Sequence, residues 1–287
     1  MTRCSSTSTI QNVWLRPPPI SSIEQREQAN WFPIHEEQMQ NEFLFYQQLL
    51  IDNGINVTIL PPGDNPDSIY LYDSMLHTPW GIIIYQSCKA NRTRESQEIR
   101  AYITETTDIP ILGQITSPGH IDGGDVFWLS PTCLAVGLSW RTNLLGANQL
   151  QAYLSPFGIK VRCYDVPDLF GENVCLHLMS LVSPIREDLA LVYEPALPIR
   201  LRQDLHHFDY KFISVPISEW DNATCFPRLA SNVLALGDNR AISLTGNPIT
   251  AQKLREHGIT LTEFSAPNLC NAGTGGPTCL TSVVSRA

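Results

Sequence analysis

The sequence predicts an α/β protein in which five similar units close into a ring, and two observations carry that expectation. The first is a block that recurs along the chain: a helix-like segment, a short apolar strand, then proline. It occurs as GINVTILPP from Gly54, IPILGQITSP from Ile109, GIKVRCYDVP from Gly158, YKFISVPI from Tyr210 and GITLTEFSAP from Gly258, with starts 55, 49, 52 and 48 residues apart. The second is the helix itself. Ordinary propellers have all-β blades and solenoids are open-ended, so a helix in each of five copies points to a closed α/β ring.

Each element of the unit has its own warrant. HEEQMQNEFLFYQQLLIDNG, ahead of the first repeat strand, and TAQKLREHG, ahead of the last, place apolar residues at helical spacing and end on glycine, a usual helix terminator. A second β-like run precedes most helices: GIIIYQS, CLAVGLS, LALVYEP and NVLALGD, with NVWLRPP standing before the first. These runs are short, rich in branched apolar residues and closed by polar or glycine positions. The unit therefore reads strand, helix, strand, then a polar loop with a further strand. One unit cannot bury its apolar faces alone, whereas five in a ring can. No interior linker interrupts residues 11–287, which are expected to form a single domain, with residues 1–10 as a loose tail.

Composition narrows the function. Of 287 residues 43% are hydrophobic and 16% charged, which is globular. A net charge of −9 without any Lys/Arg stripe argues against a nucleic-acid partner. The cysteines at 4, 88, 133, 163, 175, 225, 270 and 279 include no C-x-x-C pair, so common zinc and thioredoxin-type spacings are absent. Met1-Thr2-Arg3-Cys4 is followed by Ser and Thr and no apolar signal-peptide core. Reduced thiols and a cytoplasmic protein are expected, and the sequons at Asn56, Asn91 and Asn222 are then accidental. No apolar run approaches a membrane span. AGTGGPTC lacks the G-K-[ST] ending of a phosphate loop, and the adjacent His206 and His207 point apart. Neither a metal nor a cofactor is expected.

The polar loops after the repeat strands hold the candidate chemistry. They carry Asp67 and Asp73 in PDSIYLYD, Asp122 and Asp125 in HIDGGD, His177 in LHL, Glu219-Trp220-Asp221-Asn222, and Cys279 in GGPTC. Asp73, Asp122, His177 and Cys279 lie 19, 13, 19 and 21 residues beyond their repeat starts. In a pseudo-symmetric ring similar offsets bring side chains to a common axis. Carboxylates, an imidazole and a thiol meeting there form a candidate nucleophilic site around a cation.

PDSIYLYD, the Asp-Gly-Gly-Asp run, GLSWRTN, LHL and GGPTCLTS occur in an order that resembles the guanidino-group-modifying (pentein) superfamily, and within it the dimethylarginine dimethylaminohydrolases most. The resemblance covers nearly the whole chain. It implies a five-bladed αβ propeller of five pseudo-symmetric repeats around a central active site, acting on a small guanidino amino acid and leaving room for a homodimer. It implies Cys279 as nucleophile, His177 as acid/base, and Asp73 and Asp122 as carboxylates on the guanidinium. Arg92 and Arg141 match residues holding the substrate α-carboxylate, and Asp67 one near the α-amine. Asp125 is left between orienting His177 and stabilising its loop; Asp221 and Asn222 have no counterpart. Members acting on methylated arginine usually carry an acidic residue immediately before the Asp73 position, where this chain has Tyr72.

The reaction this implies is hydrolysis through a covalent thiouronium on Cys279, giving citrulline or another ureido product. An amidinotransferase, which hands the amidino group to an amine instead of water, is the nearest alternative. A catalytically silent binding protein of the same fold is the other.

Overall fold

Parallel neighbours in a sheet need a crossover connection, usually a helix, and such a crossover defines the repeating unit. The computed structural model describes residues 4–171, 176–220 and 227–287. Its first unit holds β1 (Ile10–Leu15), α1 (Ile23–Gln28), α2 (Glu36–Asp52) and β2 (Asn56–Ile59). The second holds β3 (Met75–Thr78), β4 (Gly81–Ile84), α3 (Glu95–Thr106) and β5 (Ile111–Gln114). The third holds β6 (Val126–Ser130), β7 (Cys133–Leu138), α4 (Leu144–Leu154) and β8 (Lys160–Asp165). The fourth holds β9 (Val182–Arg186), β10 (Leu189–Val192), α5 (Ile199–His207) and β11 (Lys211–Ser214). The fifth holds β12 (Leu234–Gly237), β13 (Arg240–Leu244), α6 (Pro248–Glu256) and β14 (Thr260–Phe264). A short helix α7 (Pro277–Leu280) and a last strand β15 (Ser282–Arg286) follow.

These strands make five three-stranded sheets. In each, the middle strand pairs antiparallel with a hairpin partner and parallel with the strand that returns from the helix, as β4 does with β3 and β5. The first sheet is completed by the chain's end: β15 pairs antiparallel with β1, with Trp14 opposite Ser282. The architecture is the expected α/β fold of five pseudo-symmetric units, the five-bladed αβ propeller.

Local sequence explains the elements. In α2, Glu36 and Glu37 favour the helix N-terminus, and Met39, Phe43, Tyr46 and Leu50 form its buried stripe. Gly54, at φ +79°, turns the chain out of the helix in a conformation that strains any residue with a Cβ. In β4, Ile82, Ile83 and Ile84 are fully buried, each contributing about 1.5–3 kcal/mol of transfer free energy.

All five repeat strands are strands, and each forms the parallel edge of its sheet. Two expectations need correction. NVLALGD is not a middle strand like the other second runs; it holds β12, the hairpin partner, and the middle strand is β13, whose Arg240 start hides it. The loose tail is also revised from Cys4 onward. Cys4 is buried beside Ile83, Tyr85 and Trp128, Ser6 Oγ accepts from the Trp128 N–H at 2.9 Å, and Thr9 O accepts from the Ala287 N–H at 2.8 Å. The segment is held because it runs alongside the strands that close the ring.

Among the described residues no helix is long and apolar enough to cross a membrane. Cys4, Cys88, Cys133, Cys163, Cys270 and Cys279 are free. Cys175, Cys225, Asp221 and Asn222 lie outside the described residues.

Candidate active site

The outer antiparallel strand of each sheet, β3, β6, β9, β12 and β15, faces the axis of the ring, and the loops that feed these strands meet at one end. Asp73 sits in a turn at Leu71–Ser74 before β3, and Asp125 in a turn at Gly123–Asp125 before β6. His177 precedes the turn Leu178–Ser180 that leads into β9, and Cys279 lies in α7 just before β15. They open on a cavity of about 420 Å³ whose lining includes Asp67, Asp73, Arg92, Asp122, Arg141, His177 and Cys279. Of the expected site residues, only Asp125 lies behind this wall.

Asp125 is fully buried and accepts from the Leu178 N–H at 2.8 Å and the Ser139 hydroxyl at 2.6 Å. Its Oδ2 also lies 3.2 Å from His177 Nδ1. The carboxylate thus ties the loop and faces the imidazole at once, so the two alternatives left by the sequence are not exclusive. Gly124 makes this approach possible, because a Cβ there would stand 2.8 Å from His177 Cγ.

Asp73 and Asp122 share a buried position but differ in partners. Asp73 accepts from the Gly124 N–H and from Arg92 Nη1, each at 2.8 Å. Burial raises its pKa, but Arg92, His177 and these hydrogen bonds outweigh burial and hold it below the ordinary 3.8. Asp122 is 2% exposed, and its Oδ1 has no hydrogen-bond partner among the described residues. Burial and the neighbouring Asp73 charge push it up to about 6. Ligand atoms of Asp73, Asp122 and His177 lie within 4.8 Å of one another, close enough to surround one small cation.

Arg92 is where the structure departs from expectation. It is 4% exposed and spends its donors inside the protein. Nε and Nη2 grip Glu95 at 2.9 Å each, Nη1 donates to Asp73, and Nη2 also donates to Tyr70 O at 3.2 Å. The guanidinium braces Asp73 from the cavity wall, with four of its five N–H donors bonded within the protein. Arg141 lines the cavity, half-buried, on the GLSWRTN loop.

Asp67 is 3% exposed and accepts from Trp31 Nε1 at 2.8 Å, Asn91 Nδ2 at 2.8 Å and Lys89 Nζ at 2.5 Å. Burial raises its pKa, yet Lys89 and Arg92 hold it below 3.8. Lys89, which also donates to Ala29 O at 3.0 Å, is a cavity cation the sequence reading missed.

The segment that joins the fourth unit to the fifth holds a site residue the sequence reading missed. Glu219 is buried and accepts from the Ile249 and Thr250 N–H groups and the Thr250 hydroxyl, so it anchors the start of α6. The position equivalent to Asp73 and Cys279, just ahead of a hairpin strand, belongs to Asn232. Its Nδ2 lies 3.1 Å from Cys279 Sγ and its Oδ1 accepts from the Thr278 N–H at 2.9 Å. Counting back from β12 would have found it, had β12 been recognised.

The Cys279 thiol is pushed above its ordinary 9.0 by burial and then by the Asp73 charge, against the hydrogen bond from Asn232 and the attraction of His177. An entering cation between Asp73 and Cys279 reverses the largest electrostatic part of that rise.

Comparison with known proteins identifies the family and the fold. The arginine deiminase family matches residues 53–157 and 188–286. A dimethylarginine dimethylaminohydrolase (DDAH) of Streptomyces coelicolor is 26% identical over 204 residues, 69% of this chain and 67% of that protein. The structure of a DDAH from Pseudomonas aeruginosa complexed with citrulline is similar at TM-score 0.77 and 20% identity, covering 95% of this chain and 98% of its own. An amidinotransferase of the saxitoxin pathway from Microseira wollei is similar at TM-score 0.78 and 16% identity, covering 99% and 97%. These two structures speak for the fold, and the family match extends over most of the sequence. The chain belongs to the arginine deiminase family.

Proposed function

We propose that this protein is a cysteine-dependent hydrolase of the guanidinium group of arginine, an N-methylated arginine or a related guanidino amino acid. The observation that carries the reading is the meeting of Cys279, His177, Asp73 and Asp122 on one cavity. The unpartnered Asp122 oxygen supports it further, because a buried carboxylate oxygen without a donor is costly until a ligand supplies one.

In this reading the guanidinium enters between Asp73 and Asp122 and its charge favours ionisation of Cys279, whose proton passes to His177. The thiolate attacks the central guanidinium carbon, forming a C–S bond. His177 returns the proton to the departing amine as the C–N bond breaks, leaving a thiouronium. Water then gives a proton to the same imidazole and its oxygen bonds to carbon. The C–S bond breaks, the remaining hydroxyl proton passes to solvent as the C=O forms, the thiolate is restored and a neutral ureido product leaves. Asp125 holds His177 in place for both halves.

Recognition of the amino-acid head falls to Arg141 and Lys89 for the α-carboxylate, and to Asp67 for the α-amine. Asp67 accepts three hydrogen bonds, and a carboxylate has about four acceptor sites, so one remains for an ammonium. Mass spectrometry of the protein incubated with arginine or N-methylarginine, with and without an amine acceptor, tests the reading. The expected product is citrulline with or without the acceptor. Ornithine plus a new guanidino compound assigns a transferase, and no turnover of any guanidino amino acid overturns the enzymatic reading.

A further inference from the structure

The ring axis has a second end. Behind the floor of the site lies another cavity of about 320 Å³, lined by β3, β6, β9, β12 and β15. Tyr72, Met179 and Thr278 line both cavities and form the partition between them. None of the residues assigned to the reaction lines this second space.

We propose that it is a binding site for a small organic monocarboxylate with an apolar body, seated on Arg286. Arg286 Nη1 donates to Ser8 O and to Ala235 O, and its Nε and Nη2 make no protein hydrogen bond among the described residues. No carboxylate lies within ion-pair distance of it among those residues. Arg286 is half-buried, and the two arginines that the fold buries more deeply are paired: Arg16 faces Glu98 and Arg92 faces Asp73 and Glu95. Desolvation lowers the Arg286 pKa to about 10, with the Tyr72 phenol opposing it. A guanidinium in this position has charge-assisted donors to offer and no anion to receive them.

Two further features define the ligand. Tyr85, 2% exposed, lines the same cavity, and its phenol oxygen has no hydrogen-bond partner among the described residues. The remaining wall is largely apolar, with Met75, Leu76, Trp128, Leu234 and Val283 contributing. One cation with two spare hydroxyls, on Tyr85 and Thr278, suits a single carboxylate; a dianion such as phosphate leaves uncompensated charge against an apolar wall. The proposal does not depend on what the first cavity catalyses.

Thermal unfolding of the full chain titrated with hexanoate, and with hexanamide as its uncharged counterpart, tests it. A saturable rise in Tm is expected with hexanoate and none with hexanamide. The rise should vanish in Arg286→Gln and persist in Arg141→Ala, which disturbs only the first cavity. If Arg286→Gln does not fold, nuclear Overhauser contacts in the wild type decide. Contacts from hexanoate to Met75 and Leu76 support the site, whereas contacts to Leu229 place the anion in the first cavity and overturn it. No saturable rise, or an equal rise in Arg286→Gln, overturns it too.

Discussion

Replacing Arg92 by Met separates a brace from a substrate ligand. The guanidinium makes four hydrogen bonds to Asp73, Glu95 and Tyr70 O, and all three side chains are buried. Removing one partner of a buried ion pair costs about 3–5 kcal/mol, because the abandoned charge stays buried. At roughly 2–4 °C per kcal/mol for a chain of this size class, Tm should fall by roughly 6–20 °C. The loss should depend on pH. Asp73 has a lowered folded pKa, so its share of the stability is present above its unfolded value and fades as pH falls through the folded one. The deficit of Arg92→Met should therefore shrink in acid. Kinetics add a second readout: as a brace, Arg92 acts through Asp73, so kcat/KM should fall by the same factor for arginine and for agmatine, which lacks the carboxylate. A Tm within a degree or two of wild type, with a tenfold rise in KM for arginine alone, refutes the brace and restores Arg92 as a carboxylate ligand.

Two other expectations follow from the same geometry. Cys279→Ser should abolish turnover, while Cys270→Ala, which trims a fully buried thiol in the neighbouring core, should keep most of it; equal losses sink the nucleophile assignment. With Asp122 raised to about 6 beside Asp73, the pair holds a proton below that pH and offers a guanidinium one negative charge fewer. kcat/KM should fall as pH drops through about 6, and Asp122→Asn should remove that acid limb; an unchanged limb assigns it elsewhere.

The ring was legible because its edge strands carry a repeated signature: a glycine or turn, a strand of four to six residues, then proline. The hairpin strands that face the axis carry none. β3 (MLHT) and β15 (SVVSR) look like loop sequence, because they are short, mix polar with apolar residues and line the axial cavity as much as a packed core. Reading β12 as a middle strand cost the register of the fifth unit, and with it Asn232. Cys279, His177, Asp73 and Asp122 could be placed because their offsets from the edge strands are similar, and offset is what pseudo-symmetry preserves.

Arg92 shows the opposite limit. Arg92 and Glu95, three apart ahead of a helix, look in sequence like a solvated i,i+3 pair worth a few tenths of a kcal/mol. Burial turns the same pair into the support of the site, and sequence spacing does not report burial. The consequence reaches substrate recognition. Arg92 neutralises much of the Asp73 charge, and Tyr72 stands where related enzymes acting on methylated arginine usually add an acid; its hydroxyl instead donates to Val126 O at 2.8 Å. On the proposed reading, what negative charge the cavity keeps for a guanidinium therefore rests mainly on Asp122, the one carboxylate there with an unpartnered buried oxygen among the described residues. Discrimination between arginine and its methylated forms should then be read at Asp122, since each methyl replaces an N–H that its free oxygen could accept.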